Sequence, residues 1–285
     1  MGVLRVKDVV DAELDGKVRQ YGWRKSPSQA TTAGLWFDLS MSPGNPVPKY
    51  WFDATPGVAK AVYQSSDGGV FHGADVFPAE KYLRLITTYT ATSTSLPLTM
   101  ILCDYCLYYP SIDEGTTDLQ ILDNTVILPR YTTGSGVQIL PITVGTRTSS
   151  ATFFVTYTNS EGVSGRVSQT VTLNTAVVGT VAGSAVATQS SCNPFIGLQI
   201  GDSGVRSIDS VTMLSSTDGL FSLILVKPLA YTCIRGIDAP VEKDFLITQE
   251  QMPKIFDNAY LNYVVLPQGT LAATAIIGDL KVIWS

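Results

Sequence analysis

Charge is what this sequence has least of. Asp, Glu, Lys and Arg make up 15% of its 285 residues and the formal net charge is −5, where an ordinary soluble domain carries roughly 25% charged residues. No cluster of Lys and Arg stands anywhere along it. That excludes the basic surface a phosphate backbone needs in order to release counterions, so direct nucleic-acid binding is not expected. Long apolar runs are missing too. The most apolar windows, Phe221–Val226 and residues 175–188, read as a buried strand and a small-residue segment, because a membrane-spanning helix needs roughly 20 apolar residues. The opening MGVLRVKDVVDAELDGK interleaves charge with apolar residues and has no leader-like apolar core. The expectation is synthesis in a cytosol, with no membrane partner.

Imidazole and thiol are nearly absent as well. There is one histidine, His72, and there are four cysteines, Cys103, Cys106, Cys192 and Cys233. Cys103-Asp104-Tyr105-Cys106 has the spacing of half a zinc site, but the isolated Cys192 and Cys233 do not supply the other half. The flanks LTMIL and LYY read as strand, in which residues three apart point to opposite faces. Buried free thiols are expected, with no metal and no cofactor. The acidic turn Ser111–Asp118 lacks the oxygen-ligand spacing of a calcium loop and reads as solvated. Helical periodicity is scarce. Thr248–Asn258 offers one short helix, since Thr248 and Gln251 have capping-box spacing, with Pro253 limiting it to the first turns.

What the sequence does hold is period-two alternation. In Ala151–Leu173, Phe153, Val155 and Tyr157 alternate with Thr152, Thr156 and Thr158. The turn residues Asn159-Ser160-Glu161-Gly162 follow, and Val167, Val171 and Leu173 then alternate with Ser168, Thr170 and Thr172, which makes a β-hairpin. Thr152, Thr156, Ser168 and Thr170 should form an uncharged face turned to solvent or to a neighbouring subunit. Further strands are expected in KYLRLITTYT, LPLTMILCDYCLYY, DLQILDNTVILP, VQILPITV, SAVATQ, FIGLQI, SIDSVTML, GLFSLILVKPLA, YLNYVVL and residues 272–285. In the first of these, Tyr82, Arg84 and Ile86 alternate against Leu83, Leu85 and Thr87. The rhythm predicts an all-β fold, a β-sandwich or jelly roll with little helix, over residues 76–285. Residues 1–75 carry many breakers and read as a loop-rich, irregular N-terminal arm.

Within that arm Trp36-Phe37-Asp38 is echoed by Trp51-Phe52-Asp53 across a stretch stiffened by Pro43, Pro46 and Pro48. Trp36, Phe37, Pro43, Pro46, Pro48, Trp51 and Phe52 are the candidate partner-binding residues, and the competing reading makes the two tryptophans core anchors. Trp36, Trp51, Tyr108 and Tyr109 are also candidate stacking surfaces for sugar rings, as in a carbohydrate-binding or tail-fibre domain. One segment raises catalysis. Gly201-Asp202-Ser203-Gly204 resembles the nucleophile segment of chymotrypsin-like serine proteases, with His72 upstream and Asp113, Asp118 and Asp123 between them. That resemblance implies Ser203 as nucleophile, His72 as base and one aspartate orienting it. Val205 replaces the second glycine, and Phe71-His72-Gly73 lacks the usual surroundings of the base. A turn is the expected role of the segment. A glycosidase-like carboxylate pair is left open, since its members need not be neighbours in sequence.

Asp38-Leu39-Ser40-Met41-Ser42-Pro43-Gly44-Asn45-Pro46-Val47-Pro48 resembles a group of uncharacterised virion proteins of tailed bacteriophages and prophages. Val226–Ala230, Glu242–Leu246, Ala259–Asn262 and Asp279–Trp284 carry the same likeness. It implies a non-enzymatic structural protein of the phage head, of the cement or decoration type, made in a bacterial host and placed on the capsid exterior. The implied partners are the major capsid protein and further copies of the chain, as a dimer or trimer. A major capsid subunit is disfavoured, because no apolar 3.6-period segment is long enough for a spine helix.

Overall fold

The computed structural model describes residues 5–173, 177–183, 193–248 and 251–285. Nine longer strands carry the fold: β1 (Val18–Lys25), β2 (Lys81–Thr90), β3 (Leu98–Asp113), β4 (Gln138–Gly145), β5 (Ala151–Asn159), β6 (Val205–Met213), β7 (Leu220–Ile234), β8 (Leu261–Pro267) and β9 (Ile276–Trp284). They form three antiparallel sheets, extended by shorter segments at the edges. The first runs Val241–Asp244, β2, β9, β1, Gly44–Asn45; the second Phe37–Asp38, β8, β3, β7, β4; the third Arg166–Val167, β5, β6, Gln120–Ile121. The chain is an all-β sandwich assembly, as the alternation predicts.

The second sheet lies in the middle, and the 16-residue strand β3 shows why. Leu98, Met100 and Leu102 share a core with Leu83, Ile86, Leu280 and Val282 of the first sheet. Further along, Cys106, Tyr109 and Ile112 share a second core with Phe153, Val155, Ile208 and Val211 of the third. The opposite face, through Ile101, Cys103, Tyr105 and Tyr108, meets Trp36, Met41, Trp51 and Val62. Cys103 and Cys106 thus belong to different cores as free thiols, which strand geometry requires of residues three apart.

Asp104 stands between the two cores of one β3 face, fully buried. Its carboxylate accepts from Arg130 Nε and Nη2 at 2.9 and 2.7 Å, and Arg130 also donates to the Val62 and Tyr105 carbonyls at 3.0 and 2.9 Å. A second buried bidentate pair joins Glu114 to Arg147 at 2.6 and 2.5 Å. Glu114 is therefore not part of a solvated loop, although Asp113 and Asp118 on either side are exposed.

Several local expectations change. The hairpin forms, with Phe153, Val155 and Tyr157 buried and Thr152, Phe154, Thr156 and Thr158 half-buried. Its return strand slips by one residue between Val167↔Thr156 and Val171↔Phe153. At the slip Ser168 turns inward, and its Oγ accepts the Val155 N–H at 3.0 Å. Ser168 is thus buried and Val167 exposed, the reverse of strict alternation. A register shift opposite Lys281 and Val282 likewise places Leu83 and Ile86 in one core, because a bulge reverses the facing of every later residue. The described part of the expected helix Thr248–Asn258, residues 251–258, is not helical. A single turn, Phe245–Thr248, ends where it was to begin, and Lys254–Ile255 pairs with β2. FIGLQI packs Phe195 and Ile196 inward without forming a strand. SAVATQ and Cys192 lie outside the described residues.

Residues 5–75 are woven into the sandwich. β1 pairs with β9 from Val18↔Ile283 to Lys25↔Ile276, inside the first sheet. Helix α1 (Val6–Leu14), not anticipated from the sequence, packs Val9 and Ala12 on Ile283.

Removing one member of a buried ion pair strands the other charge, which costs about 3–5 kcal/mol. Arg130→Met is expected to lower unfolding stability by about that amount, measured by urea denaturation. Adding Asp104→Leu is expected to restore most of the loss.

Candidate functional site

Asp38, at the end of the first Trp-Phe-Asp triplet, is buried. Its Oδ2 accepts from Trp51 Nε1 at 2.7 Å and from the Ser40 hydroxyl, and its Oδ1 accepts from Tyr105 Oη at 2.7 Å and Ser40 N–H at 3.1 Å. Burial pushes the carboxyl above the usual carboxylate range, and these donors pull it part of the way back. Trp51 also stacks on Tyr105, ring centres 5.5 Å apart at 3°, and meets the edges of Tyr108 and Tyr260. Lys25 reaches in from β1, its Nζ donating to the Ser42 and Ser40 carbonyls at 3.0 and 3.4 Å. Burial lowers Lys25 to about 8, and the negative charge of Asp38 opposes that fall.

This network divides the seven candidate contact residues. Trp36, Phe37 and Trp51 are core anchors, Pro46 is buried and Pro48 half-buried. Trp36, Phe37, Trp51 and Pro46 thus present little side-chain surface. Pro43 and Phe52 are exposed, and so are Val47 and Tyr50, which the sequence does not single out. Val47 is 65%, Tyr50 52% and Phe52 47% exposed, with the Tyr50 and Phe52 rings stacked at 6.4 Å. Lys49 between them pairs with Asp67 at 2.7 Å. The result is a short apolar surface held from beneath by buried hydrogen bonds. The rings nominated for sugar stacking, Trp36, Trp51, Tyr108 and Tyr109, are all buried.

The protease constellation is not assembled. His72 is buried, its Nε2 donating to the Ala259 carbonyl at 2.9 Å and its Nδ1 accepting from Lys81 Nζ at 3.3 Å. Both ring nitrogens are thus taken by groups other than a carboxylate or Ser203. Ser203 Oγ lies 3.0 Å from Ser160 Oγ. Asp113 accepts from Gly115 N–H and Asp123 from Thr125 N–H; Asp118 receives nothing from His72 among the described residues. Gly201-Asp202-Ser203-Gly204 is a corner whose aspartate ties down the hairpin. Asp202 accepts from Tyr157 Oη at 2.6 Å, Asn159 Nδ2 at 2.8 Å and Arg166 Nε at 3.0 Å. Arg166 foremost among these holds its carboxyl at about 2.

The surroundings of His72 include two concave regions. Lys81 Nζ also pairs with Asp257 at 3.1 Å and donates to the Ala74 carbonyl at 2.8 Å. The segment from Phe71 to Ala79 runs between two clefts of about 460 and 550 Å³, whose walls share Gly73, Ala74 and Asp75. No group of three or more metal-ligating side chains occurs among the described residues.

Burial, and after it the charge of Lys81, lowers His72 to about 4. The unfolded chain takes up this proton near pH 6.5, so between these values the unfolded state binds more protons, and this group lowers stability as pH falls from about 6.5 to about 4. Because His72 is the single histidine, its NMR titration is unambiguous. The imidazole is expected to stay neutral, with the proton on Nε2, until about pH 4.

No family model matches this sequence, and no curated protein matches it. Among solved structures, a chain of infectious bursal disease virus (Gt strain) aligns over 94% of this chain and 80% of its own, at 7% identity and a TM-score of 0.19. A superposition that loose establishes no shared fold.

Proposed function

We propose that the protein is a structural component of a tailed-phage particle, a cement or decoration protein that binds the exterior of an assembled capsid lattice without covalent chemistry. The observation that carries this reading is the anchored surface at Val47, Tyr50 and Phe52, exposed on a loop whose neighbours Asp38 and Trp51 are locked into the core. Association loses free energy when loops must be ordered, and a loop ordered in advance avoids that loss. Large aromatic side chains at the centre of a contact supply most of its strength. The sequence resemblance of Asp38–Pro48 to phage virion proteins falls on this same segment. The partner in this reading is the major capsid protein. A ligand that binds only the assembled lattice stabilises it by mass action, and a dimer or trimer multiplies weak contacts through avidity. No catalytic role is assigned: Ser203 and His72 have other partners.

Deleting residues 1–60 would remove β1, Asp38 and Trp51 together, so point substitutions test the surface more cleanly. Tyr50→Ala with Phe52→Ala is expected to weaken co-sedimentation with empty capsids at least about tenfold, the equivalent of about 1.4 kcal/mol, while unfolding stability is retained. Cryo-electron microscopy of intact particles should place the wild-type protein on the head. Copies found only at the tail tip, or undiminished capsid binding by the double variant, would refute the proposal.

A further inference from the structure

The two clefts beside the Phe71–Ala79 segment are continuous in their lining and are not used by the lattice-binding reading. One is walled by Gln64, Phe71, Asp257 and Asn258, the other by Arg19, Tyr21, Phe77 and Trp284, and Gly73-Ala74-Asp75 forms the ridge between them. We propose that this double cleft is a saccharide-binding groove.

Its shape and rigidity come first. Each cleft falls in the roughly 300–1,000 Å³ range of small-molecule sites. The ridge is fixed in place: Gly73 has φ +93°, and a Cβ there would lie 2.6 Å from Tyr21 Oη, so the backbone lies against that ring as only glycine allows. Tyr21 also meets Phe71 edge to face at 4.9 Å and 85°. Phe71 remains 54% exposed and Phe77 83%, one ring on each side of the ridge.

The chemistry of the walls comes second. A pyranose presents an apolar C–H face and a rim of hydroxyls that both donate and accept. The exposed rings suit the first. For the second, Asp75 and Asp257 line the cleft with carboxylate oxygens that accept from sugar hydroxyls. Lys81 pairs with Asp257 and Lys17 with Asp15, each at 3.1 Å, and the remaining Arg19 and Asp75 of the lining are of opposite sign, so the groove favours no strongly charged ligand. A peptide is the competing occupant, since among the described residues β1 is paired with β9 along its length but on its other side only at Arg24 and Lys25, which leaves Val18–Trp23 an edge open to strand addition.

The groove binds and does not cleave. Asp257 is paired with Lys81 at 3.1 Å and Asp75 Oδ1 accepts from the Phe77 N–H at 2.8 Å, so neither is a free carboxyl of the acid–base pair that glycoside hydrolysis requires.

The test applies the intact protein to a glycan array of bacterial-surface and plant oligosaccharides, then titrates the strongest feature as free oligosaccharide by NMR. Binding is expected to be weakened roughly tenfold or more by Phe71→Ala and by Phe77→Ala, with thermal melting unchanged, and to be unaffected by Phe52→Ala. Loss in Phe52→Ala alone would assign the sugar to the other surface and overturn this site, and leaves capsid binding to be judged separately. No bound feature, binding untouched in both groove variants, or Phe71-dependent binding of a mixed decapeptide pool in place of any saccharide would each refute it.

Discussion

A sheet that is apolar on both faces cannot stand in water, and the middle sheet of this protein is such a sheet. Strands β3 and β7 are 16 and 15 residues long, far beyond the roughly five or six of an ordinary strand, and nearly every residue of β3 is buried. Their apolar surface therefore needs three covers. One face is shared lengthwise between the first and third sheets, and the other is closed by the irregular segment that holds Trp36, Met41 and Trp51. The three-sheet layout, the folding-back of the N-terminal region and the rigid loop at Tyr50 and Phe52 all follow from that one requirement.

Buried charge marks the places where these covers meet. Asp104 with Arg130 sits between the two cores of one face, and Asp38 with Trp51 and Tyr105 sits under the irregular cover. Fully apolar replacements of such groups are often neutral or stabilising, so their contribution here is to alignment. A bidentate guanidinium accepts one geometry, and the donors around Asp38 admit one placement of Trp51. The packing of otherwise interchangeable apolar surfaces thus acquires a fixed register.

Fold class was legible because alternation is a local signal: Phe153, Val155 and Tyr157 declare their face without reference to any other segment. β1 was not, because VRQYGWRK buries only Trp23 and Lys25. An inward lysine reads as an outward one until the Ser40 and Ser42 carbonyls that receive it are known. The two Trp-Phe-Asp triplets did point to a real relation, since the tryptophan of the second donates to the aspartate of the first. Their repetition alone could not say that Asp38 would be buried while Asp53 binds Thr55 and Lys60 near the surface. The cleft was invisible for a different reason. Its Asp75 and Asp257 come from segments far apart in sequence, and the intervening spacing carries no periodic signal.

The pairing of Val18 with Ile283 has a kinetic meaning. The hairpin of β5 can close on its own turn, but β1 has no long partner until β9 arrives, and closing so large a loop carries an entropic barrier that local pairing does not. Leu98, Met100 and Leu102 are covered by the first sheet, so a chain in which it has not closed exposes that half of the middle sheet, the surface through which newly made chains would aggregate.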